Sequence, residues 1–255
     1  VLAAEGAAMW YTLRRASLRL VCLLAAGCAP SSPKPADEVA PAMMDVKEAG
    51  VREVVGVERV GGDMEAKVER TGDAWAFGRM LIDTPLPEGY PAPTPPGAIE
   101  LKGYPSVRRA EVSSVLNPDV GMNMTFFPLF WHIKNREIAM TSPVEMDYEG
   151  MERSSGARPT RWTMSFLYRT SDLGPTGEAG MVEVVDRAPM TVLSLGGRGD
   201  YSISRVDASL MRLYAWLDEH PEWEQSGEPR ALYYNGPERA KKDKWYEVQV
   251  PVKRR

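Results

Sequence analysis

The sequence predicts an α+β domain in which the order strand, helix, strand, strand runs twice, each pass taking roughly 70 residues. Three observations carry that prediction. Residues 161–169 read as a strand, with Met164, Phe166 and Tyr168 on one face and Thr163, Ser165 and Leu167 on the other. Val206, Leu210, Leu213 and Leu217 are spaced four, three and four, the stripe of an amphipathic helix. Helices set apart between antiparallel hairpins define the α+β class. A composition of 44% hydrophobic and 26% charged residues suits a folded chain and excludes wholesale disorder or a multispanning membrane protein.

Taken in order, residues 1–27 read as a secretory signal whose true start is Met9, with Arg14, Arg15 and Arg19 before an apolar run from Leu20 to Ala26. That run is too short to span a bilayer, which needs about 20 apolar residues. Its end, Leu24-Ala25-Ala26-Gly27-Cys28, resembles the lipobox of bacterial lipoproteins, with Ala25 where leucine is preferred. Cys28 would then be lipidated, and the protein would be exported and anchored to the membrane of a bacterial envelope, facing the periplasm. The competing reading is a plain secretory signal with an incidental cysteine. Residues 28–45, rich in Pro and Ser, read as a tether. Residues 46–97 form an extension. Val51, Val54, Val55, Val57 and Val60 leave strand or short helix open there, and Pro85, Pro87, Pro91, Pro93, Pro95 and Pro96 make a linker, or an extended arm wrapping the domain, without regular elements.

The domain proper covers residues 98–255. Residues 99–112 read as one strand with an irregularity at Gly103 and Pro105, and residues 122–133 as a short buried helix that Pro128 kinks or shortens. Residues 137–148, with 138–141 expected to be buried, and 161–169 are expected strands joined by a polar loop. Residues 182–185 and 190–195 follow, Gly196-Gly197 ending the second. The next helix opens on Ser204 and Asp207, a capping-box-like pair, and closes at Pro221. Residues 230–235 and 245–252 are the last expected strands.

Charge and cysteine content narrow the function classes. The chain has 31 basic and 35 acidic residues, and loss of residues 1–27 leaves a net charge of −6. A nucleic-acid partner is not expected from that balance. Two Cys and two His cannot build a zinc finger or an iron–sulfur cluster. With Cys22 in the signal and Cys28 carrying lipid, thiol catalysis is also excluded. Glu145 and Asp147 share a strand face and are capable of acid–base chemistry, but solvated acids on an exposed face are the simpler account.

Residues 138–144, Ile-Ala-Met-Thr-Ser-Pro-Val, preceded by Phe130-Trp131-His132-Ile133, closely resemble the IAMTxPV signature of the SOUL heme-binding proteins. Residues 99–105, 162–168, Tyr233-Tyr234 and Glu247-Val248 are similar to further strands of that family, so the likeness runs over about 98–253. It implies two βαββ units related by a pseudo-twofold, forming a distorted antiparallel barrel with two flanking helices, as in small-molecule-binding regulator domains, with a ligand cleft between the repeats. Taken with the expected lipid anchor on Cys28, it further implies an envelope-anchored, non-enzymatic binder of heme, a tetrapyrrole or a similar flat hydrophobic ligand. Trp131, His132, Ile138, Met140, Phe166 and Tyr168 are the expected pocket residues. His132 is the one candidate axial ligand, because His220 is explained by the helix end it sits on. Heme held without imidazole, by an apolar cleft and basic partners for its propionates, is the competing arrangement. A hydrolase or a general hydrophobic-ligand receptor on the same fold is the alternative function.

Overall fold

The computed structural model describes residues 56–151 and 153–255. The expected signal, the lipidated Cys28 and the tether lie outside the described residues. The extension is more structured than its sequence predicts. Strand β1 (Val57–Gly62) pairs with β5 (Ala98–Tyr104), while β2 (Glu69–Thr71), β3 (Ala74–Phe77) and β4 (Met80–Ile82) form a small sheet of their own. Residues 83–97 make an arm without helix or ladder, as their proline density dictates. The expected strand over 99–112 is two strands, because Pro105 has no N–H to give a ladder. After β5, the chain turns there and β6 (Val107–Ser114) pairs with other partners.

Helix α1 (Pro118–Asn135) starts earlier than predicted. Asn117 caps it by accepting from Asp119 N at 3.0 Å, and Pro118 occupies the first turn, where no N–H is needed. It runs through Pro128, held by the burial of Leu129, Phe130 and Ile133. Residues 138–141 are not the expected buried strand: β7 (Val144–Glu149) begins only after Pro143, and Ile138 and Met140 are half-buried in the connection. β8 (Arg161–Leu167) pairs with β7 in the predicted hairpin.

The second unit comprises β9 (Gly177–Ala179), β10 (Val182–Arg187), β11 (Met190–Arg198), α2 (Ile203–Glu219), β12 (Trp223–Gln225), β13 (Arg230–Tyr233) and β14 (Trp245–Arg254). Gly196-Gly197 do not end β11. They lie inside it, where a side chain at Gly196 would collide with the carbonyls of Thr94 and Pro95 in the arm. The stripe Val206, Leu210, Leu213 and Leu217 is buried as predicted, but the capping box does not form. Asp119 of α1 accepts from Ile203 N at 3.0 Å instead, and Asp207 accepts from Gly156 N.

The main sheet runs β1-β5-β11-β14-β13-β7-β8-β6-β10-β9, with β12 added on β14. Read outward from the β13–β7 pair, β14 matches β8, β11 matches β6 and β5 matches β10, which is the pseudo-twofold expected. With β9 and β12 set aside, each unit runs ββαββ, one strand more than expected: β5, β6, α1, β7 and β8, then β10, β11, α2, β13 and β14. Alternation gives the sheet two unlike faces. One carries Trp162, Met164 and Phe166 beneath α1 and Ile99 beside Trp216 of α2. The other carries Glu100, Lys102, Glu247, Gln249, Arg230, Glu145 and Arg109, all buried.

What buries those charges is the extension. Met80, Ile82 and Leu86 pack on Tyr104, Val192, Leu232, Tyr234 and Trp245. The arm then lays Thr94 between the strands. Its N–H donates to Glu247 Oε1 at 2.7 Å, and its carbonyl accepts from Trp245 Nε1 at 2.8 Å.

Candidate ligand-binding site

Two places bring chemistry together, and they sit on opposite faces. On the face covered by the extension, Glu145 Oε1 accepts from Arg230 Nη1 at 2.7 Å and Arg109 Nη1 at 3.0 Å. Asp147 meets Arg109 Nη2 at 2.6 Å, and Glu111 meets Arg109 Nε at 2.8 Å. Burial works to raise the Glu145 pKa, but Arg230 and then Arg109 hold it below the usual carboxylate range. Asp147 is pushed up by burial and by the Glu145 charge. The two acids are therefore not the exposed strand face that their alternation suggested. Glu145, held ionised between two guanidinium groups, has no proton to give near neutral pH. A parallel group joins Glu247 to Lys102, Ser194, Thr94 and Tyr234. This face is filled by the protein's own chain.

The second place is a groove of about 440 Å³ on the other side of the sheet, between α1 and the β9–β10 hairpin. That volume lies within the usual range for small-molecule sites. Phe127, Pro128, Trp131, His132, Asn135 and Arg136 line it from the helix, and Ala179, Met181 and Val182 from the hairpin. Phe127 and Trp131 are about half exposed and Met181 is 75% exposed, so large apolar side chains stand open to solvent at its mouth. Spacing of four places Phe127 and Trp131 on one helix face, and Gly180, with φ of 69°, turns the hairpin that presents Met181.

His132 is buried, and its Nε2 hydrogen-bonds the Tyr168 hydroxyl at 2.9 Å. Burial, then the Arg136 charge, lowers its pKa below the ordinary histidine value. The ring is therefore neutral at pH 7.

Of the expected pocket residues, Trp131 and His132 line the groove and Tyr168 braces it through that bond. Phe166 is core: its ring meets Phe126 edge-on at 5.1 Å beneath the helix. Ile138 and Met140 do not line the groove. Sequence reasoning missed Phe127, Arg136 and Met181. Phe127 was findable as the helix neighbour of Trp131 at i−4 and Arg136 as the position four on from His132, whereas Met181 arrives only through the tertiary fold.

The architecture is α+β, a mostly antiparallel sheet with two helices on one face, as in the multidrug-regulator effector-domain-like fold. Neither a family model nor a curated protein matches the chain. Solved structures are similar to it in fold. The cryo-EM structure of an EcmrR–DNA complex has 15% identity and a TM-score of 0.51, over 62% of this chain and 57% of that one. The chain thus spans little more than half the length of that neighbour. The EcmrR C-terminal domain has 14% identity and a TM-score of 0.47, over 62% of this chain and 98% of that one. An uncharacterized conserved protein from Listeria innocua has 14% identity and a TM-score of 0.46, over 63% of this chain and 94% of that one.

Proposed function

We propose that this protein is a non-enzymatic binding protein for a flat apolar ligand bearing acidic groups, such as heme or another tetrapyrrole, held at a bacterial cell envelope through lipidated Cys28. The observation that carries the ligand reading is the groove itself, where exposed Phe127, Trp131 and Met181 surround the one basic side chain, Arg136. Aromatic rings offer faces for a macrocycle, and Arg136 offers a partner for a carboxylate. Axial ligation by His132 Nε2 requires breaking its bond to Tyr168, so the arrangement without protein imidazole fits these residues better. Asp/Glu chemistry on the other face is covered by the extension, which weighs against the hydrolase alternative.

Hemin titration of the full chain, followed by visible spectroscopy, tests the ligand. A saturable Soret shift is expected, with metal-free protoporphyrin binding comparably. Trp131→Ala and Arg136→Ala each weaken binding about tenfold, equivalent to about 1.4 kcal/mol. His132→Ala leaves the Soret position unchanged. Unsaturable binding, or equal affinity in all variants, refutes the reading. The anchor is tested separately: membrane-extracted protein carries a diacylglyceryl mass on Cys28, and Cys28→Ser moves the chain to the soluble fraction.

A further inference from the structure

Helix α1 is apolar on both sides, and only one of them is covered. Gly121, Thr125, Leu129 and Ile133 face the sheet. Opposite them, Leu116 just before the helix and Val120, Met124, Phe127 and Trp131 within it are 48%, 71%, 65%, 49% and 46% exposed. Their spacing of four, four, three and four makes one continuous stripe. At 1.5 Å per residue it is about 23 Å long. Asp119 is the one charge from Leu116 to Ile133, and its carboxylate is turned to Ile203 N of α2. At the other end Lys134 lies over the Trp131 ring at 4.6 Å, followed by exposed Arg136.

We infer that this stripe is a lipid-docking surface, on which the domain lies with α1 in the interface of a bilayer. Three features select a membrane over a second copy of the chain. A surface this long and one helix wide offers a few hundred Å², short of the roughly 800 Å² per partner of a stable protein interface. A helix in the bilayer interface needs no such area, because its apolar face sinks only ~5–10 Å into the headgroup boundary. The order along the stripe, aliphatic residues ending in Trp131 beside Lys134 and Arg136, is the order of an interfacial anchor, with the aromatic ring and long basic stems at headgroup level. No helix among the described residues is long and apolar enough to cross a membrane, so α1 lies on the surface. With a single basic end and Glu137, Glu178 and Glu183 exposed nearby, the contact is driven by apolar burial, and neutral lipid suffices. Leu116, Val120 and Met124 stand outside the groove, whereas Phe127, Trp131 and Arg136 also line it, so a groove ligand and the lipid contact share that end of the stripe.

Methionine oxidation reads the contact residue by residue in the full chain, whatever the N-terminal segment does. Met124 is in the stripe, and Met64, 57% exposed beyond β1, is an internal reference. Peroxide oxidation with and without phosphatidylcholine vesicles, resolved by peptide mass, is expected to slow at Met124 by about fivefold or more while Met64 is unchanged. Val120→Glu, at an exposed position that tolerates a charge, returns Met124 to its lipid-free rate and leaves hemin binding intact. Equal Met124 rates with and without vesicles overturn the inference. So does protection of Met124 without lipid that grows with protein concentration, which would assign the stripe to a second copy.

Discussion

Glu247 shows what a buried charge does to this protein. It is fully buried and accepts hydrogen bonds from Ser194 Oγ at 2.6 Å, Tyr234 Oη at 2.6 Å and Lys102 Nζ at 3.0 Å. Burial opposes its ionisation, but Lys102, Ser194, Tyr234 and the Thr94 N–H outweigh it and lower its pKa from 4.5 to about 2. A depressed carboxylate stabilises the fold above its unfolded value and loses that contribution as pH falls through the folded one. Roughly 3 kcal/mol is therefore expected to disappear between pH 4.5 and 2. Glu247→Gln removes this acid limb, yet is less stable at pH 7 by about 3–5 kcal/mol, because the buried Lys102 then has only Glu100, at 3.9 Å, as a charge partner beside its hydrogen bond to Thr94 Oγ1. Urea midpoints from pH 2 to 7 check both. Little of this was legible beforehand. Glu100-Leu101-Lys102 alternates like a strand with a solvated face, and only the extension, distant in sequence, dries that face.

At the scale of elements, periodicity found what local packing decides and missed what a neighbour supplies. The α2 stripe was readable because one face of one helix settles it. Its cap was not, since it comes from Asp119 on α1. Met140 was expected in a buried strand, where truncation costs about 2–5 kcal/mol. Half-buried in an irregular connection, Met140→Ala is expected to cost nearer 1 kcal/mol in denaturant titration. The seating of α1 depends on Gly121, whose added Cβ would come within 2.9 Å of the Trp162 ring. Trp162 Nε1 also donates to Leu116 O, which ties the helix entry to β8. Gly121→Val is expected to destabilise by about 1–3 kcal/mol through overpacking. A shift in Trp fluorescence with near-native helical circular dichroism identifies that cause.

For the whole molecule, the twofold order of elements was visible from hairpins and stripes, but the pairing of the units through β7 and β13 was not, because register between distant strands leaves no local trace. The extension's prolines left a linker or an arm wrapping the domain open, and Ile82 and Trp245 are both fully buried in one cluster. Domain and extension are then expected to unfold as one cooperative unit. Ile82→Ala is expected to cost about 2–5 kcal/mol. Trp fluorescence and far-ultraviolet circular dichroism are expected to report coincident transitions in wild type and variant. A separate early transition would show the extension to be an independent layer.

Strand β14 carries a further consequence, one of timing. It lies between β11 and β13 in the sheet, and it supplies Trp245 and Glu247, on which the extension closes. A ribosome makes it after every strand it joins. Thr94 must wait for a partner 153 positions later, so the native contacts that matter most are among the most distant in sequence. Loop closure on that scale comes late in folding. Until β14 emerges, β1, β5 and β11 on one side and the run from β13 to β9 on the other are two pieces of sheet without the strand that joins them.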